Sequence, residues 1–379
     1  ALFGAMADAP DRWARGFLTE PETYGFWLAN DGSTLNYLDG LSLPDARQAR
    51  SAFLLPAAPP PGGFVEVLLL NPGQAQARVT VECIGSGKTS GVHQLLLPGR
   101  GRAALDPGAL FPGFGETDYL RVQADRPIIG CELFGDTQKL AVLDGLPLPA
   151  APEKLFCPHV AVGNLGVDYR TEVTLVNPGE AATSATLSLY SDAGAFQGSA
   201  PPVALPARSK ALLDIGSLFG LTQPATGYVT VETTGAGAVT GTVTFGETGP
   251  GRFLACLPLL EEGATDFLLG HLANGLLGET AFFTGLAILN PSAADQLIEL
   301  TAFDQAGLPL ASTMTNVAAG ARDVFLIDQK LPGLISIFGG YLRLSNRAEN
   351  PGPVMVFALF GDQPLNFLSA VTAQPLRME

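Results

Sequence analysis

The chain repeats itself. Asn71-Pro72-Gly73, Asn177-Pro178-Gly179 and Asn290-Pro291-Ser292 each close an apolar run (67–70, 173–176 and 286–289), at spacings of 106 and 113 residues. Asp118-Tyr119-Leu120, Gly227-Tyr228-Val229 and Gly340-Tyr341-Leu342 follow in the same order. So do Leu133-Phe134-Gly135-Asp136, Thr244-Phe245-Gly246-Glu247 and Leu359-Phe360-Gly361-Asp362. Self-similarity at one fixed period implies copies of one structural unit. Each copy runs roughly 105–115 residues, the size of a β-sandwich domain. The expected complete copies span 50–150, 151–262 and 263–379.

Residues 1–45 read as a fourth copy that holds only the second half. Gly25–Gly40 aligns without gaps on Gly130–Gly145 and shares seven of sixteen residues. Leu2-Phe3 matches Leu110-Phe111 and Leu218-Phe219 in steps of 108, and Phe17-Leu18 stands for Tyr119-Leu120. A half-sandwich exposes strand edges and an open apolar face. The favoured expectation is that preceding residues of a longer protein supply the missing strands. The alternative is that another subunit completes the copy by strand addition.

Within a copy the pattern is β. Short runs of Val, Leu, Thr, Tyr and Phe are punctuated by Gly, Pro, Asn and Asp, as in antiparallel sandwiches. Ala185–Tyr190 alternates in part and then meets Ser191-Asp192-Ala193-Gly194, a strand and its hairpin turn. Gly85-Ser86-Gly87 and Asp304-Gln305-Ala306-Gly307 are the matching turns. Asn-Pro-Gly is itself a turn, because Pro fixes φ and Gly accepts positive φ. Helix is expected only as single turns near 109–111 and 217–219, capped by Asp106 and Asp214. Gly and Pro, 45 and 30 residues, argue against a helical bundle. The fold class is therefore all-β, with three complete tandem antiparallel β-sandwiches and one partial one at the N-terminus.

Charge excludes some partners. The net charge is −15, and phosphate binding needs a basic surface, so no nucleic acid is expected. No apolar run reaches the roughly 18 residues of a membrane span. The start, Ala1-Leu2-Phe3-Gly4, reads as carrying no signal peptide.

Four cysteines, Cys83, Cys131, Cys157 and Cys256, include no C-x-x-C pair, so zinc is not expected. Pairing Cys83–Cys131 and Cys157–Cys256 is the connectivity that keeps both bridges inside one copy. Such bridges would place the chain outside the cytosol. The alternative is four buried thiols in a reduced protein.

Other chemistry is sparse. Gly85-Ser86-Gly87-Lys88-Thr89 resembles the end of a phosphate loop, but Glu82 stands where the first Gly belongs and the segment lies in a hairpin. His159 and His271 occupy matching positions and read as structural; His93 stands alone. No G-x-S-x-G elbow or calcium-loop pattern is present. Catalytic, metal and cofactor sites are all expected to be absent. Trp13 and Trp27 both lie in the partial copy and are the candidate interaction surface. Trp27 aligns with Glu132, beside the expected core position of Cys131, and so should face outward. Packing on a neighbouring domain or chain, or stacking on a sugar, are its two readings.

The apolar strand ending in Asn-Pro-Gly, the strand Gly227–Val231 and the strand ending Phe-Gly-Asp resemble the tandem Ig-like β-sandwich repeats of bacterial secreted and cell-surface proteins. The resemblance implies a non-enzymatic extracellular structural or interaction protein: a fibre subunit, coat, stalk or adhesin component. Its implied partners are other protein chains, by self-assembly or within a larger surface structure. A cell-surface carbohydrate-binding array is the alternative, with glycan as partner.

Overall fold

The computed structural model describes residues 26–30, 38–42, 48–150, 154–248 and 251–376. Leu2-Phe3, Trp13, Phe17-Leu18 and Asp31-Gly32 lie outside them. The chain is nearly all β, 63% strand and 4% helix.

Three units each fold as two antiparallel sheets. In the second unit one sheet runs Ser209–Asp214, Asp168–Asn177, Thr240–Glu247, Leu254–Pro258. The other pairs Lys154–Asn164 with Ala225–Gly235, which pairs with Thr183–Ser191 and its hairpin partner Phe196–Ser199. The third unit repeats this order with Arg322–Leu326, Thr280–Leu289, Met355–Asp362 and Leu368–Thr372 in the first sheet. The first unit does so with Arg102–Leu105, Phe64–Leu70, Asp118–Gly135 and Leu140–Asp144. There the one strand Asp118–Gly135 serves both sheets. In the other units Gly235–Gly237 and Asn350-Pro351-Gly352 interrupt the corresponding stretch. Alternation supplies each core: Ala185, Leu187 and Leu189 point inward from one strand, and Val79, Val81 and Cys83 from its counterpart.

The Asn of each Asn-Pro turn is more than a turn residue. Asn177 is fully buried, and its Nδ2 lies 2.8, 3.1 and 2.9 Å from the carbonyls of Ala181, Leu205 and Pro206, while its Oδ1 accepts from Gly179 N at 3.0 Å. Asn71 and Asn290 repeat this clamp on Ala75, Leu97, Pro98 and on Ala294, Val317, Ala318. One amide thus ties the turn to a second loop further along the chain.

The capped turns form at Pro107–Leu110 and Ile215–Leu218, with Asp106 and Asp214 accepting from Ala109 N and Ser217 N at 3.2 and 2.7 Å. A third turn, Ile327–Lys330, was not expected from the sequence. No Asp or Ser precedes it; Gln329 Oε1 instead accepts from Leu326 N at 3.0 Å.

Successive units are joined by a recurrent basic residue. Arg102, Lys210 and Arg322 pair with the residue just before the clamp Asn of their own units. Lys210 donates to Asp118 O of the first unit at 2.9 Å. Arg322, 4% exposed, reaches back into the second unit, with Nη2 and Nε at 2.6 and 2.8 Å from Asp192 Oδ1 and Nη1 at 2.9 Å from Pro158 O. Tyr228 OH donates to Gly320 O across the same junction at 2.7 Å.

Candidate functional site: a hub of four inner strands

Each first sheet ends in a short strand: Leu140–Asp144, Leu254–Pro258 and Leu368–Thr372. The hairpin Phe26–Asn30/Leu38–Ser42 supplies a fourth. Asn30 faces Leu38 as Gly135 faces Leu140, Gly246 faces Leu254 and Gly361 faces Leu368. Leu38 therefore takes the place of Leu140. The gapless alignment had put Leu35 there; the connection 31–37 is three residues longer than 136–139, which shifts the strand by the same number.

These four inner strands touch in a closed cycle: Leu38–Ser42 against Leu140–Asp144, then Leu254–Pro258, then Leu368–Thr372, and back to Leu38–Ser42. Each is the edge of its own sheet, and its neighbours cover that edge. Their equivalent second residues, Asp39, Ala141, Ala255 and Ser369, are small and fully buried. The hairpin closes the cycle with one side chain. Asp39 Oδ2 accepts from Val142 N of the first unit at 2.6 Å, and Oδ1 accepts from Gly40 N at 2.8 Å and from Ser369 Oγ of the third unit. Burial pushes this carboxyl up to about 8, against the hydrogen bonds from Ser369, Val142 and Gly40 that pull it down.

The last residues of the four strands, Ser42, Asp144, Pro258 and Thr372, all line one cavity of about 250 Å³. Glu262 and Gln374 add polar groups, and Phe267 and Met355 add apolar surface. Burial raises Asp144 to about 7, with Arg50 pulling it back. The cavity therefore changes charge near neutral pH. Among the described residues no group of three or more His, Cys, Asp or Glu could hold a metal ion.

A second buried carboxyl lies at the junction of the first two units. Glu132 stands where Val243 and Ala358 stand in the other copies, by the register of the Phe134, Phe245 and Phe360 strands. One oxygen accepts from Ala57 N at 3.0 Å; the other has no hydrogen-bond partner. Burial drives it up to about 8, and drives the nearby Lys210 amine down to about 8.

The expected disulfides are not formed: all four cysteines are free thiols. Cys157 sits in the core of the second unit and its thiol lies 3.3 Å from His159 O. Cys256 belongs instead to the apolar cluster of the first unit, with Thr244 Oγ1 at 3.5 Å. The two thus face different cores. Cys83 lies in the core of the first unit, whereas Cys131 faces away from it, beneath the N-terminal hairpin. The expectation that Cys131 was a core position and its neighbour an outward one is reversed, because Glu132 is the residue that points inward. Burial raises all four thiols above their ordinary range.

Trp27 is half-buried. It packs with Ala29 and Leu41 of the hairpin on Leu140, Val142, Cys131 and Leu133 of the first unit. It therefore meets a neighbouring unit rather than open solvent. His159 and His271 hold matching ring contacts, with Phe245 at 4.3 Å and Phe360 at 5.3 Å. Burial and the Arg322 charge hold His159 well below its ordinary range, so it stays neutral. Sequence reasoning missed Asp39, Glu132 and Arg322. The basic residue does leave a signal: it lies four positions after each of Pro98, Pro206 and Ala318, the carbonyls held by the clamp Asn.

No protein-family model matches the chain, and no curated protein matches it. Among solved structures, Thermotoga maritima 1070 is 13% identical over 31% of this chain and 98% of that one, at a TM-score of 0.25. Bacteroides uniformis β-glucuronidase 2 is 10% identical over 62% of this chain, which spans 29% of the enzyme, at a TM-score of 0.15. A tetra-tandem repeat in the extending region of a large adhesion protein is 11% identical over 93% of this chain and 74% of that one, at a TM-score of 0.12. Similarity at these scores carries no inference. The fold rests on the chain's own strand pairing, which fits repeated β-sandwiches.

Proposed function

We propose that the chain is a non-enzymatic structural or interaction protein, working outside the cell or on a bacterial cell surface as a fibre subunit, coat, stalk or adhesin component. Its units are Ig-like sandwiches with boundaries at 50–150, 151–262 and 263–379, preceded by the half-copy 1–45. The observation that supports this reading most is where the buried polar groups go. Arg322 and Asp39 join one unit to another, Lys210 does the same beside Glu132, and His159 packs under Arg322. Burying ionisable groups costs free energy, and here that cost is met at junctions between units. The acidic surface, net −15, favours solubility until a specific contact forms. Free thiols remove the disulfide argument for an extracellular location, which now rests on the resemblance of the repeats. The test is localisation of the native protein by surface labelling, with electron microscopy of the material released. Intracellular protein with no higher assembly would refute the reading. Trp27 is engaged with the first unit, so the glycan reading loses one of its two aromatic candidates.

A further inference from the structure

The second sheet of each unit ends in a strand that pairs on one side only, and the three are not equivalent. In the second unit it is broken: Phe196–Ser199 and Val203–Leu205 are separated by Ala200-Pro201-Pro202. Proline cannot donate to a ladder, so that edge is closed to further pairing. In the third unit, Pro309–Val317 is continuous over Ala311–Val317 but turns mainly polar groups outward, Ser312 and Asn316 beside Met314, and Asn316 is already held by Asp295 at 3.3 Å. In the first unit, Lys88–Leu97 pairs with Ala77–Gly85, and among the described residues no strand meets its other edge.

The regular part of that edge has defined ends. Ser90 is the extra residue between the pairs Cys83–Gly91 and Ile84–Thr89, and Pro98 stops the strand at the other end. Between them Gly91–Leu97 pairs without a break. It carries no Lys, Arg, Asp or Glu, the usual guards of an open edge. Its side chains alternate. His93, Leu95 and Leu97 turn toward the sandwich, while Val92, Gln94 and Leu96 turn out, Val92 and Leu96 being 55% and 58% exposed.

An open edge presents a row of unpaired N–H and C=O groups, and another extended strand is what satisfies them together. This stretch is complementary to itself. Laid antiparallel on its own copy about Gln94, it sets Val92 against Leu96, Leu96 against Val92 and Gln94 against Gln94. The exposed apolar side chains then cover one another and two amides meet at the axis. The bulge at Ser90 falls opposite the copy's Pro98, so both strands stop pairing at the same places. Charge agrees as well. Glu82 flanks Val92 and Arg78 flanks Leu96 in the neighbouring strand, so each Glu82 shares a lateral row with the second copy's Arg78. We propose that Gly91–Leu97 pairs antiparallel with the same strand of a second copy of this chain, across a two-fold axis at Gln94. The contact is isologous and uses up the edge, so it makes a dimer. It names the partner for the self-assembly reading above, on which it rests.

Gln94 tests the axis, because it is exposed, touches no core and faces itself only in this register. In sedimentation velocity between about 1 and 500 µM, the natural chain is expected to double its mass as concentration rises. Gln94→Lys and Gln94→Glu, each alone, should set like charges face to face and weaken dimerisation by about tenfold or more. An equal mixture of the two should recover it, since lysine then meets glutamate, and that recovery also shows that both variants fold. Hydrogen exchange should show the amides of 91–97 gaining protection with concentration, which a contact through side chains alone would not give. Either variant dimerising like the natural chain, or a mixture no better than its parts, would overturn the pairing. A natural chain monomeric throughout would overturn it too, and would leave the extracellular structural reading to its own localisation test.

Discussion

A single side-chain amide in each unit serves three carbonyls, more acceptors than it has hydrogens, so its loss should be felt by two loops at once. Asn177→Ala strands the carbonyls of Ala181, Leu205 and Pro206 in a site where Asn177 is fully buried. At about 1 kcal/mol per lost bond, the expected cost is about 2–4 kcal/mol, read from denaturant unfolding. Asn177→Asp should cost more, since a carboxylate donates nothing. The buried acids make a second prediction. Asp39 and Glu132 titrate near 8 folded, against ordinary values of 3.8 and 4.5. Between those limits the folded chain holds protons that the unfolded chain has released, so the contribution of these two acids to stability falls as pH rises from about 4 to 8 and levels off above. The slope is at most about 1.4 kcal/mol per pH unit for each group. Thermal melts across that range should show it, and Asp39→Asn should flatten it while lowering stability, because its amide nitrogen would face Val142 N or Gly40 N where the carboxyl oxygens accept. The sequence marks the Asn-Pro turns plainly. It hides Asp39, because only the longer connection 31–37 puts an acid where other copies have Ala141, Ala255 and Ser369.

Strands and turns follow from sequence pattern wherever period and punctuation agree, as in Ala185–Tyr190 and the hairpin at 191–194. The faces of strands do not follow so easily. Cys131 and Glu132 exchange their expected sides because the first unit places a carboxylate at a position where Val243 and Ala358 are apolar. Junctions are harder still, since they depend on which loop meets which. At the junction of the second and third units, Arg322→Ala leaves Asp192 Oδ1 and the buried Pro158 O without their donor; Asp192 is 41% exposed and keeps Thr226 Oγ1, so the expected cost is about 1–3 kcal/mol. Calorimetry should then show the third unit melting apart from the second. Arg322→Lys should recover less than half, because an ammonium cannot reach Asp192 and Pro158 O together as the guanidinium fork does. The thiols give an independent check. A thiol reagent should label none of the four quickly in the folded chain and all four after denaturation.

At the scale of the whole molecule, the repeats announce several units of one kind but not how those units meet. Tandem units in a row would leave each inner strand an exposed edge. The cycle of four covers every one, and the N-terminal hairpin is what completes it. Legibility ended there because the partial copy reads as an incomplete sandwich awaiting strands, whereas its described strands are already engaged with the first and third units. Deleting residues 1–47 should therefore uncover Leu140, Val142 and Cys131. Fully burying an apolar side chain of this size is worth about 1.5–3 kcal/mol, so the truncated chain should melt lower, bind a hydrophobic dye and label readily at Cys131.

The Asp39–Ser369 bond spans 330 positions of chain, and that sets an order of events. The hairpin is synthesised well before one of its two neighbours, the strand Leu368–Thr372 of the third unit. Closing a loop of that length rather than one of a single copy, roughly 105 residues, adds only about 1 kcal/mol of entropy, so the wait is a matter of timing more than of energy. Trp27 reaches its final surroundings when the first unit folds, whereas Asp39 gains its bond to Ser369 only once the third unit has followed. Refolding followed by Trp27 fluorescence in a Trp13→Phe background should accordingly report the docking of the hairpin on the first unit, and Asp39→Ala, which removes the bond to the third unit, should leave that phase in place.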